Sequence, residues 1–81
     1  MIIDLPGIAQ RLRTARIAQG LSQMEAARII GKNQSYISRC EAGQKELSIN
    51  EIALFSELYE KSIEYFFFGE ETDKNGNSLH N

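Results

Sequence analysis

Apolar positions along this chain recur at helical spacing in five short runs, each bounded by residues that start or stop helices. Ile8, Leu12 and Ala15 follow steps of four and three, the signature of one helix face. Pro6 and Gly7 precede that pattern, and Arg11, Arg13 and Arg16 fall off it. Gly20 is expected to end the first helix, because glycine accepts the left-handed conformation common just past a helix terminus. Ser22-Gln23-Met24-Glu25 forms a capping box, in which the serine hydroxyl and the Glu25 carboxylate satisfy each other's backbone amides. Ala26, Ala27 and Ile30 then make a short apolar face, and Gly31 closes that helix. Asn33 is a good N-cap for a third helix running to about Ala42 and stopping at Gly43. Ile37 and Cys40 lie three apart and share its inner face. Ser48-Ile49-Asn50-Glu51 is a second capping box, followed by inward positions Ile52, Phe55 and either Leu58 or Tyr59. Ser62 caps a last helix, Ile63 to Phe68, ended by Gly69. No strand pattern reaches useful length, so an all-α, compact five-helix fold is predicted.

Two short helices joined by a tight glycine turn make the supersecondary unit that sets a helix into the major groove of DNA. At about 100° per residue, the face of the third helix opposite Ile37 and Cys40 carries Ser35, Ser38 and Arg39, with Gln34 and Tyr36 flanking it. Arginine reads guanine, glutamine reads adenine, and serine contacts several bases. An isolated helix with this face would be read as merely solvated. Inside a helix-turn-helix, base reading is the stronger expectation.

Charge at first argues against such a partner, since the 81-residue chain has a net charge of −2. The charge is segregated, however. Residues 1–45 hold seven Lys and Arg against three Asp and Glu, whereas residues 46–81 hold two against eight. The basic half is the candidate DNA face, although two solvated faces with no partner would give the same count. A chain of this length makes one domain with a modest core, expected over residues 1–69. Residues 70–81 are polar, rich in Asn and Gly, and expected to form a disordered tail. The apolar runs are too short to span a bilayer, and the start is too short and too acidic for a secretory signal. One cysteine, Cys40, allows no internal disulfide, and a cytoplasmic, nucleoid-associated protein is expected. Enzyme chemistry lacks parts. His80, the one histidine, falls in the polar tail, and there is no glycine-rich phosphate loop or metal-spaced cluster. No cofactor and no metal are implied.

Leu21-Ser22-Gln23, Ala27, Gly31, Gln34-Ser35-Tyr36-Ile37-Ser38-Arg39, Glu41 and Gly43 together resemble the phage-repressor-like (xenobiotic-response-element, lambda-repressor-like) helix-turn-helix family. The likeness covers about residues 7–68 and implies a five-helix lambda-repressor-like domain. It also implies roles. Gln34, Ser35, Tyr36, Ser38 and Arg39 fall on base- and backbone-reading positions. Gln23, on the first turn of the second helix, corresponds to a phosphate contact, and an amide-rich helix start suits an anion in any case. Gln44 and Lys45 correspond to a loop that touches backbone phosphate. Lys32 stands in the turn where the family has an apolar residue, and is assigned with Arg13 to phosphate. Arg16 and Glu41 resemble a structural ion pair between the first helix and the end of the third. Tyr36 departs from the family's small residue. It either packs on a thymine methyl, sugar or phosphate, or is a half-buried flank residue. Ala26 and Cys40 replace larger aliphatics, and Cys40 reads as a packed small hydrophobe.

The run Tyr65-Phe66-Phe67-Phe68 remains. Four successive residues on a helix point about 100° apart, so one core cannot bury them all. Either two or three pack inward and the tail covers the rest, or this helix makes a dimer contact through Ile63, Tyr65, Phe66, Phe67 and Phe68. The expected function is therefore a dimeric, sequence-specific transcriptional regulator, a repressor or autoregulatory controller, acting on a palindromic double-stranded operator. The alternative is an antitoxin-like or adaptor module that holds another protein on its aromatic patch.

Overall fold

The computed structural model describes residues 4–69. They form α1 (Leu5–Ala18), α2 (Gln23–Ile29), α3 (Gln34–Glu41), α4 (Ile49–Tyr59) and α5 (Ile63–Phe68), with no strand among them. The expected tail, 70–81, with His80, lies outside the described residues.

Local chemistry sets each helix end. Both capping boxes form. Ser22 Oγ accepts from the Glu25 amide at 3.0 Å while Glu25 accepts from the Ser22 amide at 2.8 Å. Ser48 and Glu51 repeat this at 3.2 and 2.9 Å. Each such cap is worth about 1 kcal/mol. Gly31 and Gly43 sit at φ +70° and +71°, one residue past the caps of α2 and α3. The amides that follow turn back, Lys32 to the Ala27 carbonyl at 2.8 Å and Gln44 to the Arg39 carbonyl at 3.0 Å. These are Schellman closures, which a β-carbon at the left-handed position would strain. The start of α1 differs from expectation. Asp4 is its cap, accepting from the Gly7 amide at 3.1 Å, so Pro6 and Gly7 lie inside the first turn rather than before it. Proline is tolerated there because its missing N–H would have no helical partner.

The core takes Ile8, Leu12 and Ala15 from α1, Ala26 and Ala27 from α2, Tyr36, Ile37 and Cys40 from α3, Ile52, Phe55 and Tyr59 from α4, and Phe66 from α5. Of the two candidates on α4, Tyr59 is wholly buried and Leu58 lies at the edge. Tyr36, Phe55 and Tyr59 stack in sequence, with ring centroids 6.2 and 5.6 Å apart, and so join α3 to α4. The centre of the assembly is α1, which touches α3, α4 and α5. Side chains of α1 and of its C-cap residue also close neighbouring helix ends. Arg11 Nη1 donates to the Phe66 carbonyl at 2.8 Å and Gln19 Nε2 to the Tyr59 carbonyl at 3.1 Å. Ala26 and Ala27 present little bulk, which lets α2 lie close on α3. No helix among the described residues is long and apolar enough to cross a membrane.

Candidate nucleic-acid interface

Helix α3 has two faces of opposite character. Tyr36, Ile37 and Cys40 are buried, while Gln34, Ser35, Ser38 and Arg39 are exposed. Arg39 folds back along its own helix, with Nε 3.4 Å from the Ser35 carbonyl, so its guanidinium edge remains on the outer face.

A polar relay fixes this face to the scaffold. The Arg16 side chain meets Glu41 through two hydrogen bonds, Nε to Oε2 at 2.7 Å and Nη2 to Oε1 at 3.0 Å. Side-chain exposure is only 10% for Arg16 and 4% for Glu41, so the pair is nearly dry. The Glu41 hydrogen bonds outweigh this burial and hold the guanidinium pKa above its ordinary value. Arg16 Nη1 also donates to the Leu21 carbonyl at 2.8 Å. Gln23 Nε2 donates to Glu41 at 3.1 Å, and Gln34 Nε2 donates to Gln23 Oε1 at 3.2 Å. One continuous chain thus runs from α1 through the end of α3 and the start of α2 to the first residue of α3. The expected Arg16–Glu41 pair is present. That Gln23 is engaged at both ends of its amide was not anticipated.

Tyr36 takes the half-buried flank place that was one of its two readings, which corrects its expected assignment among the base-reading residues. It is 7% exposed and belongs to the core edge, not to the exposed outer face of α3. Its hydroxyl donates to Glu51 Oε2 at 2.5 Å, and its ring stacks on Phe55. Burial first, then the Glu51 hydrogen bond, push the phenol above its ordinary range. The sequence left both readings of Tyr36 open, and positions 36, 37 and 40 make an i, i+1, i+4 stripe that accords with the buried one. Two lysines attend the ring. Lys32 Nζ lies 5.1 Å and Lys45 Nζ 5.6 Å from its centroid, both within cation–π range. Lys45 Nζ also stands 3.3 Å from Glu51 Oε2. The Ser48 amide and the Tyr36 hydroxyl hold Glu51 well below the usual carboxylate range, at about 2. Glu51 and Tyr36 as partners were missed in sequence because fifteen positions separate them. Arg13, Lys32 and Gln44 are exposed, whereas Gln23 and Lys45 are half-buried. Cys40 is buried, and burial pushes its thiol up to about 11, so it packs as a neutral group.

The aromatic run divides. Phe66 is fully buried and cannot contribute to a dimer contact as expected. It meets Tyr65 edge-on, with centroids 5.2 Å apart. Ile63, Tyr65 and Phe67 are half-buried, and Phe68 is 56% exposed. Phe67 also lines an apolar groove of about 300 Å³ with Leu5, Ile8, Leu47, Ile49 and Ile52. Among the described residues no group of His, Cys, Asp and Glu is arranged to hold a metal ion.

A helix-turn-helix family profile (HTH_3) matches residues 12–66. The chain is similar to an uncharacterized HTH-type transcriptional regulator of Rickettsia prowazekii, with 31% identity over 68 residues, 83% of this chain and 52% of that protein. It spans about half the length of the curated relatives it matches. Among solved structures, the restriction-modification controller protein of Aeromonas hydrophila is 34% identical with a TM-score of 0.72, covering 79% of this chain and 97% of that one. The P22 c2 repressor, solved with a synthetic operator, is 21% identical with a TM-score of 0.70, covering 78% of this chain and 96% of that one. At that identity it speaks for the fold alone.

Proposed function

This chain belongs to the helix-turn-helix family, and on that premise we propose that it binds double-stranded DNA in pairs and regulates transcription inside the cell, on the nucleoid. The observation that carries the reading is the exposed polar face of α3, held rigidly by the Arg16–Glu41–Gln23–Gln34 relay. A reading helix must be fixed relative to its backbone contacts, because base contacts discriminate only when the register is set. In this reading α3 enters the major groove, with Gln34, Ser35, Ser38 and Arg39 against base edges. Arg13, Lys32, Gln44 and Lys45 contact phosphates, as does Gln23 when its amide turns outward. The concentration of negative charge after residue 45 supports a DNA face in the first half, with the acidic half turned away.

Pairing draws on Phe68, Ile63, Tyr65 and the groove beside Phe67. Phe67 and Phe68 have ring centroids 6.2 Å apart, so an exposed ring sits next to an apolar hollow. That juxtaposition suits a two-fold contact, in which each copy offers both parts. A palindromic operator with half-sites about one helical turn apart would follow. The same patch would also serve an adaptor that holds a different protein.

Selection of bound sequences from a random duplex pool tests the reading. Enrichment of inverted repeats at constant spacing is the expected result. Recovery of single half-sites would remove the dimer, and a pool left unenriched at low salt would remove sequence-specific DNA reading and favour the adaptor. Sedimentation of Phe68→Glu against the parent distinguishes self-association through this patch from a monomeric state.

A further inference from the structure

Glu51 has a place in the interface that neither its helix-capping role nor the α3 face accounts for. Its carboxylate is anchored from two sides, with Oε1 accepting from the Ser48 amide at 2.9 Å and Oε2 from the Tyr36 hydroxyl at 2.5 Å. Lys45 approaches the same Oε2 at 3.3 Å. Lys45 lies in the segment just after α3, and Lys32 in the turn just before it. Both ammonium groups converge on the Tyr36 ring. The Lys45 and Glu51 side chains are 29% and 24% exposed, so the ion pair is within reach of an approaching phosphate.

We propose that Glu51 is an internal counter-ion for Lys45, from which a DNA backbone phosphodiester must take the lysine when α3 docks. This rests on the DNA-binding reading above. The exchange is feasible because the two anchors stay in place. When Lys45 leaves, the carboxylate still accepts from the Ser48 amide and the Tyr36 hydroxyl. Tyr36 is then a positioning residue. Its hydroxyl keeps Glu51 satisfied without the lysine, and its ring holds Lys32 and Lys45 on one flank of α3. The consequence concerns specificity. Because Glu51 competes with the phosphate for Lys45, the backbone contact of that lysine is weakened for every sequence alike, which leaves a larger share of binding to base contacts.

Titration of a fluorescent random-sequence duplex over a range of salt, with parent, Glu51→Gln, Lys45→Ala and the double variant, tests this. Glutamine preserves the capping box and removes the charge. Glu51→Gln should bind about three- to fivefold more tightly at low salt, the size of one partly exposed ion pair, and with a steeper salt dependence. That gain should vanish when Lys45 is alanine. Tyr36→Phe, which keeps the ring but removes one anchor, should shift affinity the other way, because Glu51 then depends more on Lys45. A gain that persists in the Lys45→Ala background would overturn the proposal, as would no gain in a Glu51→Gln variant that circular dichroism shows to be folded under the assay conditions. If the parent itself fails to bind duplex at low salt, the DNA-binding reading fails first, a result distinct from loss of the Glu51 effect alone.

Discussion

The α2–α3 unit and the α4–α5 pair are held by different means. In α2–α3 the buried apolar residues are small or few, Ala26, Ala27, Ile37 and Cys40, and Tyr36 reaches across to α4. What fixes the unit is polar: a capping box, two glycine closures and the relay through Arg16 and Glu41. In α4–α5 the volume is large and aromatic, with Phe55, Tyr59 and Phe66 wholly buried. Hydrogen bonds set angles and registers, whereas apolar volume supplies most of the free energy. The half proposed to meet DNA is thus built for placement, and the other half supplies much of its stability.

The largest test of this contrast is Phe66→Ala. It should cost about 3–5 kcal/mol, enough in a domain this small to leave much of the population unfolded, as a urea titration would report. Loss of less than about 1 kcal/mol would mean that α5 is peripheral. Glu41→Ala comes next, since it strands a nearly dry guanidinium, at a cost of about 3 kcal/mol. Replacing both partners, Arg16→Met with Glu41→Leu, should recover much of that stability while loosening base discrimination. Full retention of discrimination in a stable double variant would show that the relay does not position α3. Arg39→Ala should leave the melting temperature unchanged but cost about 1–3 kcal/mol at one base position per half-site. Equal loss across all sequences would move Arg39 to the backbone contacts.

Smaller effects probe the aromatic side. The Tyr59 hydroxyl is buried and has no hydrogen-bond partner among the described residues, so Tyr59→Phe should be neutral or stabilising by about 1 kcal/mol. Destabilisation would mean that the hydroxyl is satisfied in solution. The last effect is one of pH. Glu51 titrates at about 2 in the fold and at roughly 4.3 when unfolded. Its contribution is therefore complete above the unfolded value and is lost as pH falls through that interval towards 2. Acid unfolding of Glu51→Gln should lack this component. An identical acid profile would place the carboxylate's stabilisation elsewhere.

Most of the fold was legible because its signals are local. Ser22, Asn33, Ser48 and Ser62 cap the helices as their positions suggest, and Gly20, Gly31, Gly43 and Gly69 all take positive φ. The exceptions have physical reasons. Pro6 and Gly7 read as preceding the first helix, yet Asp4 outside them caps it and draws them into its first turn. Tyr36 carries a polar tip on an apolar body, so its direction depends on whether a partner waits inside, and Glu51 is that partner.

The sequence by itself determined the five helices, the turn between α2 and α3, the polar outer face of α3 and the separation of charge, because spacing and capping act over a few residues. Only the tertiary structure decided which ring of Tyr65–Phe68 goes inside, where Tyr36 points, and which lysine Glu51 holds. Those outcomes depend on groups many positions away, brought together by packing that no local pattern records.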